Sequence, residues 1–554
     1  MKLSSEFKQI LDNAIEALHQ RTFYAQYPEH PSPKIYGETA DADGQEKFKA
    51  HLNKQFVELD QHRADKWIGD EESPYLQEKL GIEYPFLEVD TLIERANESF
   101  NGWRKASPEV RAAVLIDSLE RVKNRFFEIA YATMHTTGQG YMMAFQASGP
   151  HAADRALEAI AAGYEELKRF PENAVWEKPM GKYNLKLNKS WRAVPKGIGL
   201  VIGCSTFPTW NSVPGIYASL ITGNPVIVKP HPGAVLPIAI FVSEITAALK
   251  DAGYSINTCQ LAVDQPKDPL TKKLAEHPDI KIIDFTGNSE FGNYLENLQG
   301  KHVFTEKTGV NSIIVDSADN VDKIAQNIAF SISLYSGQMC TAPQNIFVPE
   351  DGIRTADKNV SFDDFTQKIV DNINGLVDNP KAGPFVLGAI QNKLTCDRVD
   401  NIKNLDAKVV LDSRTIENPM FKNARIATPA ILVVDGGKED VYGSELFGPI
   451  AFLIKTKDTK QSVEIAQKMA KEHGAISCGA YTTDEDTKEY IADEMGLAAT
   501  PVSFNLVGGI YVNQHATFSD FHVTGGNPAG NASFTNPEFV IRRFTWVGTR
   551  ELAE

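Results

Sequence analysis

The sequence predicts an α/β fold with parallel sheets, laid out as two successive domains. Three observations lead there. Strand-like and helix-like segments alternate from residue 198 to about 305, a similar alternation follows Cys340, and 554 residues are too many for one hydrophobic core. Parallel strands need helical crossovers that cover both sheet faces, and such sheets bind ligands beyond the carboxyl ends of their strands. The loops after residues 202, 229 and 286 are therefore the places to search.

Taken in order, residues 5–20 have helical spacing at Phe7, Ile10, Leu11, Ile15 and Leu18. Tyr24 to Pro33 is broken by prolines and reads as an extended surface strap. Residues 91–180 read as helical, and Ser107-Pro108-Glu109 marks a capped helix start. The first alternation has strands at Ile198–Ile202, Pro225–Lys229, Leu261–Val263, Ile280–Phe285 and His302–Thr305. Helices are expected between them at Asn211–Ile221, Ala234–Leu249, Pro269–Glu276 and Ser289–Leu298. Val321–Tyr335 reads as a helix capped by Asn320. The second alternation has strands at Asn345–Val348, Ala407–Leu411, Ala430–Val434, Ala451–Ile454 and Ile510–Asn513, with helices near 362–376 and 459–472. Phe539–Trp546 is strand-like again. The expected division is an accessory extension at 1–90, a dinucleotide-binding domain at 91–307 with a β-arm near 180–195, a catalytic domain at 308–515, and a C-terminal oligomerisation arm at 516–554.

Composition narrows the function. With 42% apolar and 23% charged residues the chain is an ordinary globular one, and a net charge of −16 argues against nucleic acid or an anionic membrane as partner. The first residues contain no apolar leader core and no stretch approaches the ~20 apolar residues of a membrane span, so the expected location is cytoplasmic. Cys204, Cys259, Cys340, Cys396 and Cys478 are scattered with no CxxC pair, which suggests a reducing compartment and no metal site.

Five segments can carry chemistry. Cys340 follows a helix on a loop, where a thiolate can attack a carbonyl, although a lone cysteine is more often a small buried hydrophobe. Glu306 ends an apolar strand, where it is either a solvated strand end or a general base for water. Thr286-Gly287-Asn288 joins a strand to a helix, a turn that can admit a cofactor backbone and phosphate, though without the GxGxxG spacing. Lys229 ends another strand and either snorkels or meets a ribose or phosphate. Glu445 and Phe447 pair a carboxylate with a ring, suited to a ribose diol and a nicotinamide wall, or simply to a turn.

Taken together and in this order, these segments resemble the aldehyde dehydrogenase superfamily from about residue 91 to the end. Glu306 stands 34 residues before Cys340, the family's spacing of base and nucleophile. Phe207-Pro208 precedes Lys229 by the family's offset, Glu306-Lys307-Thr308-Gly309 matches its ELGG segment, and Glu445-Leu446-Phe447-Gly448-Pro449 its E-[IL]-FGP segment. The resemblance implies two three-layer α/β domains, Rossmann-like and catalytic, with a small oligomerisation β-arm. It implies NAD(P)-dependent oxidation of an aldehyde through a Cys340 thioester that Glu306 helps hydrolyse. Lys229, Gly287, Asn288, Glu445 and Phe447 would contact the cofactor, and the chain would form a homodimer or dimer of dimers. Thr206 occupies the position of the family's oxyanion asparagine, leaving Thr206, Asn211 or the Cys340 backbone as oxyanion donor.

A finer resemblance is to the PaaN group of phenylacetic acid degradation proteins. It is carried by the N-terminal extension, the loop Gly203 to Asn211 and Lys229-Pro230-His231-Pro232. It implies a ring-opened, CoA-linked semialdehyde. A CoA-acylating dehydrogenase and a catalytically weak scaffold on the same fold are the alternatives. Pro232 stands where many NAD-preferring relatives carry a ribose-binding glutamate, so NADP is expected to be accepted at least as well as NAD, with Lys229 and His231 meeting its extra phosphate.

Overall fold

The protein is described from a computed structural model covering residues 2–61, 64, 66–511, 518, 522–533 and 536–553. Its N-terminal helix α1 (Ser5–Gln20) is capped by Ser4 and turns Ile10, Leu11, Ala14 and Ala17 inward. These residues join the same hydrophobic core as the first parallel sheet, along with Phe48, Phe56 and Tyr84. The proline-broken segment after α1 runs as a surface strap with one deep anchor. Tyr27 within it is fully buried, and the Gln26 N–H donates to Asp154 at 3.0 Å. Two glutamates one residue apart then face opposite ways. Glu71 accepts from the backbone of Val235 and Leu236, while Glu72 accepts from Arg425 at 2.8 Å.

The helical stretch contains α2 (Pro108–Lys123), started by the Ser107 cap, then α3 (Phe126–Thr137) and α4 (Ala152–Lys168). It stops before residue 180. Strands β1 (Asn173–Pro179) and β2 (Asn184–Pro195) form an antiparallel hairpin, and the C-terminal strand pairs along the other edge of β2. Alternating exposed and half-buried positions along much of β2 show why helical periodicity fails there.

The first parallel sheet contains β3 (Ile198–Ile202), β4 (Val226–Lys229), β5 (Cys259–Leu261), β6 (Ile280–Thr286) and β7 (His302–Glu306). Its strand order is β7-β6-β3-β4-β5, so the chain starts in the middle, builds one edge and crosses to the other. Helices α5 (Pro208–Ile221), α6 (Leu236–Asp251) and α7 (Ser289–Glu296) make crossovers. Proline at the first turn of α5 starts that helix three residues before the expected Asn211.

The second sheet has seven strands: β8 (Ser312–Val315), β9 (Asn345–Pro349), β10 (Lys408–Leu411), β11 (Ala430–Asp435), β12 (Ile450–Thr456), β13 (Cys478–Tyr481) and β14 (Val502–Phe504). Their order is β10-β11-β12-β9-β8-β13-β14, parallel except for edge strand β10. The expected strand Ile510–Asn513 lies partly outside the described residues; Ile510 and Tyr511 are not in a strand, and β14 takes the sheet edge instead. Helix α8 (Val321–Ser333) also ends two residues early, for a reason visible at the site. The last strand, β15 (Phe544–Leu552), completes a three-stranded arm in the order β15-β2-β1.

Candidate active site

Parallel pairing aligns the carboxyl ends of the first sheet. Glu306 lies opposite Thr286, and Lys229 opposite Ile202. Four strand ends thus open on one edge, where α/β sheets hold their ligands.

Cys340 reaches this edge from the second sheet. After α8 the backbone enters three consecutive left-handed residues: Tyr335 at φ 50°, Ser336 at 49° and Gly337 at 63°. Two of the three are not glycine, and such conformations persist only where surroundings impose them. The Tyr335 hydroxyl donates to Thr137 O at 2.5 Å, and the Ser336 hydroxyl to Leu387 O and Ala427 O. At Gly337 a Cβ would come within 2.3 Å of the Gly448 carbonyl oxygen, so only glycine fits. The Asn311 amide donates to Cys340 O at 2.7 Å and Ala342 O at 3.1 Å, and its oxygen accepts from Ile476 and Ser477. The nucleophile's loop is therefore pinned on both sides.

The structure brings Cys340 and Glu306 together and adds His522. Their three donor atoms lie within 4.8 Å of one another. His522 Nε2 is 3.1 Å from Glu306 Oε2, and the Asn211 amide donates to Glu306 Oε1 at 3.1 Å. The Cys340 thiol is hydrogen-bonded to the same carboxylate. Burial alone would push Glu306 up, but His522, then Arg155, then the Cys340 hydrogen bond bring it down to about 2. Burial and the Glu306 charge raise the Cys340 thiol well above its ordinary value. At rest the pair is a thiol beside an ionised carboxylate, which can take the thiol's proton. Arg155 is itself buried, with its guanidinium 3.7 Å above the Trp210 ring.

Two cavities flank this pair. One of about 80 Å³ lies behind Glu306, bounded in part by Asn211, His522 and Thr305. The other, about 430 Å³, leads to Cys340 past Met142, Met143, Phe207, Trp210, Phe330 and Tyr511. At its rim Glu29, from the N-terminal segment, meets His151 at 2.7 Å. His151 ends a π-helical turn, Ala147–His151, that accommodates Pro150.

The other sequence candidates fall into two groups. Glu445 is half-buried, held up at about 7 by desolvation against a hydrogen bond from the Gly309 backbone and the charge of Arg398. The neighbouring Phe447 carbonyl accepts from Arg398. Thr206 contacts the Cys204 sulfur and accepts from Gln139 at its carbonyl; its described hydrogen bonds do not reach Cys340. The Asn211 amide spends one of its two N–H donors on Glu306. Asn288 caps α7 by accepting from Phe291 N. A Cβ at Gly287 would meet the Phe285 ring at 2.6 Å, so side-chain packing already demands glycine there. Lys229 is not an open cation: it lies 2.7 Å from Asp264, and His231 accepts a backbone N–H at 3.1 Å while burial and Lys229 bring it down to about 4. The free phosphate partners on which the NADP expectation rested are therefore engaged or neutral.

The donor set fits a dinucleotide. Aligned strand ends, a lysine–carboxylate pair for hydroxyls and the open first turn of α7 supply what ribose and phosphate need. Asp264, His522, Arg155 and Asn311 escaped the sequence reading. Asp264 alone carried a usable signal, an acid just past a parallel strand.

Comparisons with known proteins agree with this geometry. Residues 86–544 match the Aldehyde dehydrogenase family. The chain is similar to a 1-pyrroline-5-carboxylate dehydrogenase of Oceanobacillus iheyensis, 25% identical over 490 residues, covering 82% of this chain and 86% of that protein. Among solved structures, an NAD-dependent aldehyde dehydrogenase from Burkholderia multivorans superposes with a TM-score of 0.97 at 46% identity, covering 100% of both chains. A 1-pyrroline-5-carboxylate dehydrogenase from Thermus with bound NAD shares the fold at a TM-score of 0.72 and 18% identity, covering 96% of this chain and 99% of that one. The chain thus belongs to the aldehyde dehydrogenase family and is an NAD(P)-dependent aldehyde dehydrogenase.

Proposed function

We propose that this dehydrogenase oxidises an aldehyde with an apolar body to its carboxylic acid, using Cys340 as nucleophile and Glu306 as base. The observation that carries the reading is the apolar, aromatic channel that ends at a cysteine hydrogen-bonded to an ionised, buried glutamate. As the carbonyl arrives, Glu306 takes the thiol proton and the Cys340 sulfur adds to the carbonyl carbon. Lys229, Gly287, Asn288, Glu445 and Phe447 would hold NAD(P), which would supply the hydride acceptor. Loss of hydride from the hemithioacetal carbon leaves a Cys340 thioester. Glu306 passes the thiol proton to bulk solvent and, ionised again, deprotonates the water that attacks the thioester; the carbon–sulfur bond breaks, Glu306 returns the proton to the Cys340 sulfur and the acid leaves. The cavity behind Glu306 has room for such water. Oxyanion stabilisation falls to Thr206, the second N–H of the Asn211 amide or the Cys340 backbone N–H.

Substrate class follows from the channel wall. A carboxylate such as that named in the 1-pyrroline-5-carboxylate dehydrogenases would want a cation, and the one cationic side chain lining this channel among the described residues, His151, is engaged by Glu29. An uncharged acyl chain suits the wall better. A ring-opened semialdehyde of phenylacetate catabolism, with any CoA headgroup held outside, is the specific substrate in keeping with the PaaN-like segments. The same family reading makes the protein a homodimer or dimer of dimers joined through the β-arm.

Turnover with aliphatic, aromatic and glutamate-derived semialdehydes tests this, with and without CoA. An apolar aldehyde should exceed glutamate semialdehyde in kcat/KM by at least tenfold, about 1.4 kcal/mol. The product should be the free acid in both conditions; the opposite ranking would overturn the substrate class. Cys340→Ala should lose all turnover yet still bind NADH. Glu306→Gln should lose most turnover, and wild-type rates in either variant would remove its assigned role.

A further inference from the structure

The ribose end of the cofactor site is built from charges the dehydrogenase assignment leaves unexplained. In doubly wound folds an acid near the end of the second strand reads the adenosine ribose hydroxyls. Here the second strand, β4, ends in Lys229, and Pro232 three residues on offers no carboxylate. An acid arrives instead from the next strand. Asp264, three residues past β5, sits 2.7 Å from Lys229 Nζ, with side chains 1% and 6% exposed.

We infer that Asp264 selects NAD over NADP by accepting a ribose hydroxyl beside Lys229 and repelling a 2′-phosphate. The inference rests on the dinucleotide site proposed above, with its ribose at the carboxyl end of β4. The carboxylate is fixed in place: its second oxygen accepts from Leu270 N at 2.9 Å. Lys229 also donates to Pro230 O at 3.0 Å, so two of the ammonium's three donors are engaged and one remains for a hydroxyl. A ribose diol can accept from that donor and donate to Asp264. A 2′-phosphate can donate nothing and meets a carboxylate of its own sign.

Two nearby features that could hold a phosphate are already engaged. His231 points Nδ1 at the Gly233 N–H, and its burial beside Lys229 disfavours protonation. The start of α6, whose N–H groups would suit an anion, is occupied by Glu71. Its Oε1 accepts from Val235 N at 2.6 Å and Leu236 N at 2.9 Å, and its other oxygen accepts from the Tyr84 hydroxyl. Burial pushes this carboxyl up while the three donors pull it back. These groups are thus two acids, one paired lysine and a histidine disposed to be neutral.

Fluorescence titration of the full-length protein with NADH and NADPH tests this without any aldehyde. Wild type should bind NADH at least tenfold more tightly, and Asp264→Asn should shrink that ratio at least threefold by improving NADPH. If the single variant does not fold, Lys229→Met combined with Asp264→Asn removes both charges and should shrink the ratio likewise. A wild-type ratio below tenfold, or a smaller change in the folded variant, overturns the inference. Binding of neither dinucleotide would overturn the cofactor-site reading and this inference with it.

Discussion

At Glu306 a carboxylate is buried and yet held ionised, because His522, Arg155 and the Cys340 thiol together outweigh desolvation. The sign of its linkage follows. A carboxyl depressed from 4.5 to about 2 adds stability that is complete above the unfolded value and disappears as pH falls through about 2. Removing His522, the largest stabilising influence, must raise Glu306. In His522→Ala the acid limb of kcat/KM should move to higher pH, with Arg155 still facing the carboxylate; a limb unchanged within experimental error would show that His522 merely packs against Trp210. Sequence logic reached Cys340 and Glu306 because one follows a helix and the other ends an apolar strand, at the spacing of the family the chain resembles. It did not reach His522, because that residue comes from an irregular glycine-rich tail whose course no periodicity records. Asn311 was equally hidden, since an amide holding two carbonyls and accepting two N–H groups looks in sequence like any loop asparagine.

At the scale of elements, nearly every strand of the first sheet was legible, since each is a short apolar run between turn residues and each is buried on both faces. The misplaced ends have local causes. Helix α8 stops at Ser333 because the chain must enter the left-handed turn that delivers Cys340, and β14 rather than Ile510–Asn513 closes the second sheet. The N-terminal segment docks on α3 through a buried ion network. Arg125 joins Glu128, Glu58 and Glu244, and His51 meets Glu128 at 2.7 Å. Glu128→Ala would leave Arg125 facing a diminished partner set in a buried site. It should lower the stability of the folded chain by roughly 3 kcal/mol, read as a lower denaturant midpoint. A midpoint matching wild type would show the network to be solvated and weak.

For the whole molecule, two sheets and their covering helices were foreseen in kind from alternation and the arm from the family resemblance, whereas the embedding of residues 1–90 in the first core was not. Helical spacing in α1 shows an apolar face without showing its destination. The two outer strands of the arm leave Val175, Val547 and Leu552 more than half exposed, apolar surface suited to a second copy of this chain. Light scattering at micromolar concentration should therefore give a dimer or larger, and Val547→Asp should shift it toward monomer; a monodisperse wild-type monomer would end that proposal. The N-terminal segment adds a mechanical consequence. Glu71 grips the start of α6 and Glu72 grips Arg425, so adjacent residues clasp the two sheet systems across the cleft that lies between them. One peptide unit has almost no slack. A wide, clam-like parting of the lobes would have to release one of these holds first, so dinucleotide exchange is channelled into local loop and side-chain movements at a cleft of nearly constant width.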